Sequence, residues 1–165
     1  MKKRILSLSF LLLFVISFLT SCGGVKEFTH CELTLPLGRD FEEKESTDYD
    51  LLLSDGKIAV AVTRITFIAG YNQGIPDTYS AKAFANFFMK KSGNGDTVLM
   101  LGDVPYFTYT ADGKNTEMFY LVTFYRSLNA YFIVTYASKE QDREETEARM
   151  FDYVASVYFN DAPKI

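Results

Sequence analysis

Apolar and polar positions along this chain change period several times, and each change predicts an element. Phe28 to Leu35 reads as a strand in which Cys31, Leu33 and Leu35 share one face and His30, Glu32 and Thr34 the other. Pro36-Leu37-Gly38 turns the chain, and Arg39 to Glu45 returns as a short charged strand. Asp50–Leu53 and Ile58–Phe67 form a hairpin about Ser54-Asp55-Gly56-Lys57, because Asp-Gly is a strong turn signal. Gly70 to Asp77 is a loop. Asp77 or Thr78 caps a helix running to about Lys91, with Ala81, Phe84, Phe87 and Phe88 as its apolar stripe. Lys90 and Lys91 suit its C-terminal dipole and Gly93 stops it. Strands follow at Thr97–Thr110, broken near Gly102-Asp103, then at Glu117–Arg126 and Ala130–Ala137, with short antiparallel turns between them. Lys139 to Val157 closes the chain as a helix carrying Met150, Phe151, Val154 and Val157.

The last two strands carry the most information. Met118, Tyr120, Val122 and Phe124 oppose Phe119, Leu121, Thr123 and Tyr125; Phe132, Val134 and Tyr136 oppose Tyr131, Ile133 and Thr135. Neither face is polar, so neither can face water as one side of an exposed antiparallel sheet does. Two amphipathic helices are available to cover them. The expected fold is α+β: a three-layer α/β/α sandwich with a largely antiparallel sheet and a helix on each face.

That pattern resembles the PsbP-like domain family. The stretches that carry the resemblance are ELTLPLGRDF (32 to 41), KIAVAVTRITF (57 to 67), SAKAFANFFMK (80 to 90), FYLVTFYRSLNAYFIVTYAS (119 to 138) and FDYVASVYF (151 to 159). The resemblance implies a non-enzymatic domain that binds or steadies other proteins, as in photosystem extrinsic subunits, assembly factors and bacterial envelope lipoproteins. It transfers no functional residue to a position here.

The first residues set an expected location. Met1-Lys2-Lys3-Arg4 is cationic, and Ile5 to Leu19 is an uncharged apolar run shorter than a bilayer-spanning helix. Leu19-Thr20-Ser21-Cys22 follows, and resembles the lipobox of bacterial lipoproteins. The resemblance implies cleavage after Ser21, a diacylglycerol on the Cys22 thiol, and acylation (typically palmitate) of the new amine. The expected organisation is a signal peptide over 1–21, a lipidated tether over 22–27 and one globular domain over 28–165. The protein would then sit in the bacterial cell envelope, lipid-anchored and facing the extracytoplasmic side.

Composition adds exclusions. The chain has 165 residues, 48% hydrophobic and 23% charged, with two cysteines and one histidine. Disulfide-dense mini-proteins, four-cysteine zinc sites and mechanisms needing a His pair are therefore excluded. Loss of Lys2, Lys3 and Arg4 with the leader lowers Lys plus Arg from 17 to 14 against 21 acids, a formal charge of −7. That balance gives no footprint for nucleic acid and repels anionic headgroups. No phosphate-binding glycine loop or nucleophile elbow occurs, and Ser92 to Asp96 follows a helix rather than preceding one. Cys31 and His30 point to opposite strand faces, so Cys31 reads as a buried structural thiol. Asp48 and Asp50 could share a strand face, with nothing else to support acid-base chemistry. No catalytic residue, metal ligand or cofactor is assigned.

Eleven tyrosines exceed what a core needs, and Tyr71, Tyr106, Tyr109 and Tyr125 are candidates for an exposed interaction patch. The functional expectation is a non-catalytic module that binds an unidentified envelope protein; the alternatives are a lipid or small-molecule carrier and an undetected hydrolase. Replacing Cys22 with Ala should release the domain from membranes or leave its precursor uncut, with the fold intact. Fractionation with mass measurement of the product checks this, and a processed, membrane-bound C22A protein overturns the anchor.

Overall fold

The computed structural model describes residues 24–113 and 115–160. Seven strands form one antiparallel sheet: β3 (Glu42–Glu43), β4 (Leu51–Ser54), β5 (Ala59–Thr66), β9 (Ala130–Lys139), β8 (Glu117–Arg126), β7 (Val104–Asp112) and β6 (Leu99–Leu101), in that spatial order. The doubly apolar strands β8 and β9 lie at its middle, where both faces are covered. Register follows their side-chain parity: Leu121 pairs with Tyr136 and Tyr125 with Phe132 on one face, Phe124 with Ile133 on the other.

Each face grows its own core. On the first, Phe107, Val122, Phe124, Tyr131 and Ile133 meet Phe84, Ala85 and Met89 of helix α2 (Ala81–Ser92). Phe84 stacks on Tyr131 at 4.5 Å and meets Phe124 edge-on at 5.6 Å. The Tyr131 hydroxyl reaches the Pro76 and Tyr79 carbonyl oxygens at 2.8 and 2.9 Å, which pins the loop leading into the helix. The helix starts later than expected: Ser80, not Asp77 or Thr78, is the cap, accepting from the Ala83 amide. Its end is as expected, with Lys90 and Lys91 in the last turn and Gly93 at φ 71.

The opposite face holds Val60, Val62, Phe119, Leu121, Phe132, Val134 and Tyr136. Helix α3 (Arg143–Ser156), preceded by a single 3₁₀ turn over Glu140–Asp142, supplies Met150 and Val154. It does not cover the face alone. A second sheet of order β1 (Val25–His30), β2 (Leu33–Gly38) and β10 (Tyr158–Phe159) adds Phe28, Leu33, Leu35 and Leu37 to the same core. The three-layer α+β sandwich therefore stands, with its third layer shared between a helix and a small sheet.

Three expectations change here. The stretch 28 to 35 is not one strand: the chain reverses at Cys31-Glu32, so that β1 and β2 pair from Val25–Gly38 to His30–Leu33. Cys31 takes φ 53 in that tight loop and is exposed, rather than buried beside Leu33. Val25 to Glu27 form the first half of β1. Finally, Phe67 opens a short helix α1 (Phe67–Tyr71) instead of ending β5. Among the described residues no helix is long and apolar enough to cross a membrane.

Phe84 is the test of the first core, being fully buried among three aromatic partners. Phe84→Ala should lower the unfolding free energy by about 3–5 kcal/mol. Urea denaturation reads the loss, and a change below about 1 kcal/mol would contradict this packing.

Candidate interaction surface

Three loops converge at one end of the large sheet: the β1–β2 loop, the β8–β9 turn over 127–129, and the passage from β5 into α1. They are tied by a polar knot. Ser127 Oγ donates to Glu32 Oε1 at 2.7 Å and accepts from the Ala130 amide at 3.2 Å. Arg64 Nη2 donates to Asn129 Oδ1 at 3.0 Å and to Glu32 Oε1 at 3.4 Å, its guanidinium lying over the Phe132 ring. The Phe67 amide bonds to the Asn129 carbonyl at 3.0 Å, and the Asn160 amide to the Glu32 carbonyl at 2.8 Å. The Glu32 side chain keeps only 10% of its exposure and Arg64 only 21%. Burial acts to raise the Glu32 pKa, but the bonds from Ser127, its own backbone amide and Arg64 outweigh it and hold the carboxyl below its ordinary range.

Above this knot lies an apolar tip. Helix α1 is capped by Thr66, whose Oγ1 accepts from the Ala69 amide at 3.2 Å. Its inward positions are Phe67, packed on Tyr131 at 5.1 Å, and Gly70, where an added Cβ would already touch Ile65 and Ile75 at 3.5 Å. That phasing turns Ile68 and Tyr71, three apart, toward solvent on one face. They are 82% and 80% exposed, and Leu128 in the adjoining turn is 83% exposed. No other large hydrophobic among the described residues is as open. A recess of about 400 Å³ beside them is lined by Phe67, Ile68, Tyr71, Asn72 and Asp77. Arg126 closes its rim, lying over the Phe67 ring at 5.1 Å and donating to the Asp77 carbonyl at 3.0 Å.

The four tyrosines singled out from sequence do not form one patch. Tyr71 belongs to the tip. Tyr106 and Tyr109, three apart on β7, must face opposite sides of the sheet: Tyr106 packs on Phe151 at 5.3 Å, and Tyr109 stacks on Tyr120 at 4.7 Å. Tyr125 is buried under α3, its hydroxyl donating to the Val154 carbonyl at 3.4 Å, and burial pushes its pKa far above the usual tyrosine range. Leu19, Thr20, Ser21 and Cys22 lie outside the described residues.

Asp48 and Asp50 lie in the bend before β4 and do not share a strand face. Asp50 Oδ2 accepts from the Arg64 amide at 2.6 Å. Asp55 caps its own turn through the Lys57 and Ile58 amides and pairs with Arg149 at 2.8 Å. Arg143 pairs with Glu140 in the 3₁₀ turn and with Glu147 on α3. Among the described residues no group of three or more His, Cys, Asp or Glu is placed to hold a metal ion. Sequence pattern does not single out Ile68 or Leu128, because a lone apolar residue just past a strand or in a turn carries no periodic signal.

Neither a family model nor a curated protein matches the sequence. Solved structures do resemble the fold. A Bacteroides thetaiotaomicron structure superposes with a TM-score of 0.58 at 12% identity, over 83% of this chain and 49% of that one. This chain thus spans about half the length of that protein. CyanoP, the cyanobacterial PsbP of Synechocystis, superposes with a TM-score of 0.55 at 12% identity, over 85% of this chain and 95% of that one. LpqN of Mycobacterium tuberculosis gives 0.49 at 8% identity, over 82% and 90% of the two chains. The fold is PsbP-like.

The Glu32 knot has a pH signature. Its folded pKa lies below the unfolded value of about 4.3, so its stabilisation is complete above that value and disappears as pH falls through the folded pKa. Glu32→Gln should cost about 2 kcal/mol at pH 7, with the gap to the parent narrowing below about pH 4. Denaturation curves at several pH values decide it; a gap independent of pH contradicts the assignment.

Proposed function

We propose that this chain is a lipid-anchored, non-catalytic module of a bacterial cell envelope that docks another protein. The observation that carries the reading is that the three most exposed large hydrophobics among the described residues, Ile68, Tyr71 and Leu128, belong to two elements at one end of the scaffold. Isolated exposed hydrophobics are ordinary, but two on one helix face beside a recess, with a third in the turn hydrogen-bonded to that helix, suit a protein contact. Beside them the Glu32 carboxylate accepts from Ser127 and Arg64, which gives it a structural role. A carrier needs an enclosed apolar cavity, typically about 300–1,000 Å³. The apolar recess between the α1–α2 loop and α2, lined by Ile65, Ile75, Phe87 and Phe88, holds about 200 Å³; the larger recesses, about 400 Å³ beside α1, about 640 Å³ between the β2 end and α3 and about 770 Å³ along residues 43–52, lie open at the surface, which favours the docking module over the carrier.

Attachment comes from the Cys22 lipid in this reading. At a formal charge of −7 the processed chain gains nothing from anionic headgroups, whereas acyl chains contribute about 0.8 kcal/mol per buried methylene. Native mass spectrometry of the full-length protein, drawn from its own membranes in mild detergent, tests both parts. The expected species is residues 22–165 plus the lipid, with a reproducible protein adduct. A small-molecule adduct beyond the lipid would replace the docking module with a carrier.

A further inference from the structure

Strand β7 is an edge that its neighbour covers only in part. Its register against β8 is unbroken from Tyr106–Thr123 to Asp112–Glu117. In the turn beyond, the Gly113 amide donates to the Thr116 carbonyl at 2.8 Å. Gly113, and by alternation Ala111, Tyr109 and Phe107, therefore direct their main-chain groups at β8. The intervening row, Val104, Tyr106, Thr108, Thr110 and Asp112, directs an N–H and a C=O each to the outside of the sheet. β6 takes up the first two through Leu101 and Leu99. Before Leu99 the chain leaves the edge, and Gly95 sits against Phe107, where an added Cβ would come within 2.7 Å of the ring. The main-chain groups of Thr108, Thr110 and Asp112 are left with no main-chain partner among the described residues. Nor does this edge carry the usual guards, since Phe107 to Ala111 contains no proline, no lysine and no bulge.

We infer that β7 from Phe107 to Asp112 is a strand-addition site for an extended, cationic segment of another protein. Outward main-chain groups at alternate residues fix the backbone of the occupant, because an extended strand supplies donors and acceptors at that spacing. Its charge follows from the edge. Between Lys91 and Lys114 the chain has Asp96, Asp103 and Asp112 and no cation. The Thr110 hydroxyl donates to Glu140 Oε2 at 3.4 Å, on the sheet face that Thr108 and Asp112 share; the other Glu140 oxygen pairs with Arg143. An incoming residue paired with Thr110 stands beside Glu140, and one paired with Asp112 stands beside that carboxylate, which suits Lys or Arg. These paired residues also present their own N–H groups to β7. The alternate ones lie on the other face along Phe107, Tyr109 and Ala111, where Tyr109 stacks on Tyr120 at 4.7 Å, and apolar side chains extend that row. A second copy brings the same acidic edge, so charge disfavours pairing of β7 with itself. The site goes beyond the proposed function: it needs no lipid on Cys22, and the α1 surface adjoins the other end of β8.

The test uses the full-length protein in phosphatidylcholine vesicles and, as probe, the peptide acetyl-(Lys-Val)4-amide, read by hydrogen exchange with mass spectrometry. With the probe bound, the amides of Thr108, Thr110 and Asp112 should exchange several-fold more slowly, with β1 and β3 unchanged. Methylating the lysine amides of the probe should abolish the protection, whereas methylating its valine amides should not. High salt, or acetyl-(Glu-Val)4-amide in its place, should weaken the protection several-fold. Thr110→Pro should remove it while thermal unfolding stays near the parent's, because that N–H serves no ladder bond. Asp112→Lys, which leaves the backbone unchanged, should shift the preference toward the glutamate probe. In native membranes the same segment should exchange several-fold more slowly than in vesicles without probe. Absence of protection at 107–112, protection indifferent to the site of methylation, or equal protection by both probes overturns the inference. So does equal exchange in native membranes and vesicles. Exchange that slows in vesicles as this protein alone is packed more densely overturns it in favour of a second copy.

Discussion

The constraint on which this structure depends is that β8 and β9 have no polar face. A strand pair that cannot touch water on either side must be sandwiched, and every other element is placed to satisfy that need. Helix α2 closes one side with phenylalanines three and four apart. The other side is wider than α3 can cover, and the N-terminal hairpin fills the remainder with Leu33, Leu35 and Leu37. The edges of the large sheet then become its weak points. They are blunted by a two-residue β3 made of glutamates and by a three-residue β6.

Polar groups fasten the small sheet and α3 to the large sheet without weakening the core between them. At one end Arg149 of α3 pairs with Asp55 in the β4–β5 turn and hydrogen-bonds Tyr153. At the other, Glu32 joins the small sheet to Ser127 and Arg64 of the large one. Each carboxylate collects several donors, which offsets the cost of its burial. Apolar packing supplies the attraction between the layers, and these two clasps fix how they are seated.

Much of the fold was legible because it is periodic. The bounds of β8, the β4–β5 turn at Asp55-Gly56 and the glycine stop of α2 all follow from local signals. The N-terminal hairpin was not legible, since its loop uses Cys31 at positive φ where Gly or Asn would have announced a turn. Reading through that loop also misplaced the thiol from solvent to core. The same limit applied to the site. Tyrosine abundance suggested a patch, but strand parity scattered Tyr106, Tyr109 and Tyr125 over two faces, whereas the Phe67–Asn129 hydrogen bond joins the start of α1 to the β8–β9 turn across distant sequence.

The small sheet also sets an order of events. Strand β2 pairs with β1 within a tight loop, but its other edge waits for β10, and the Asn160 side chain donates to Thr34 Oγ1 at 2.7 Å across 126 residues. Loop closure of that length costs entropy that only the finished core repays. During synthesis the leucine strand β2 therefore stays half-paired until Tyr158 and Phe159 emerge. A chain ending before Tyr158 would leave that edge bare beside the hairpin, so a segment made more than a hundred residues later decides when β2 is sealed.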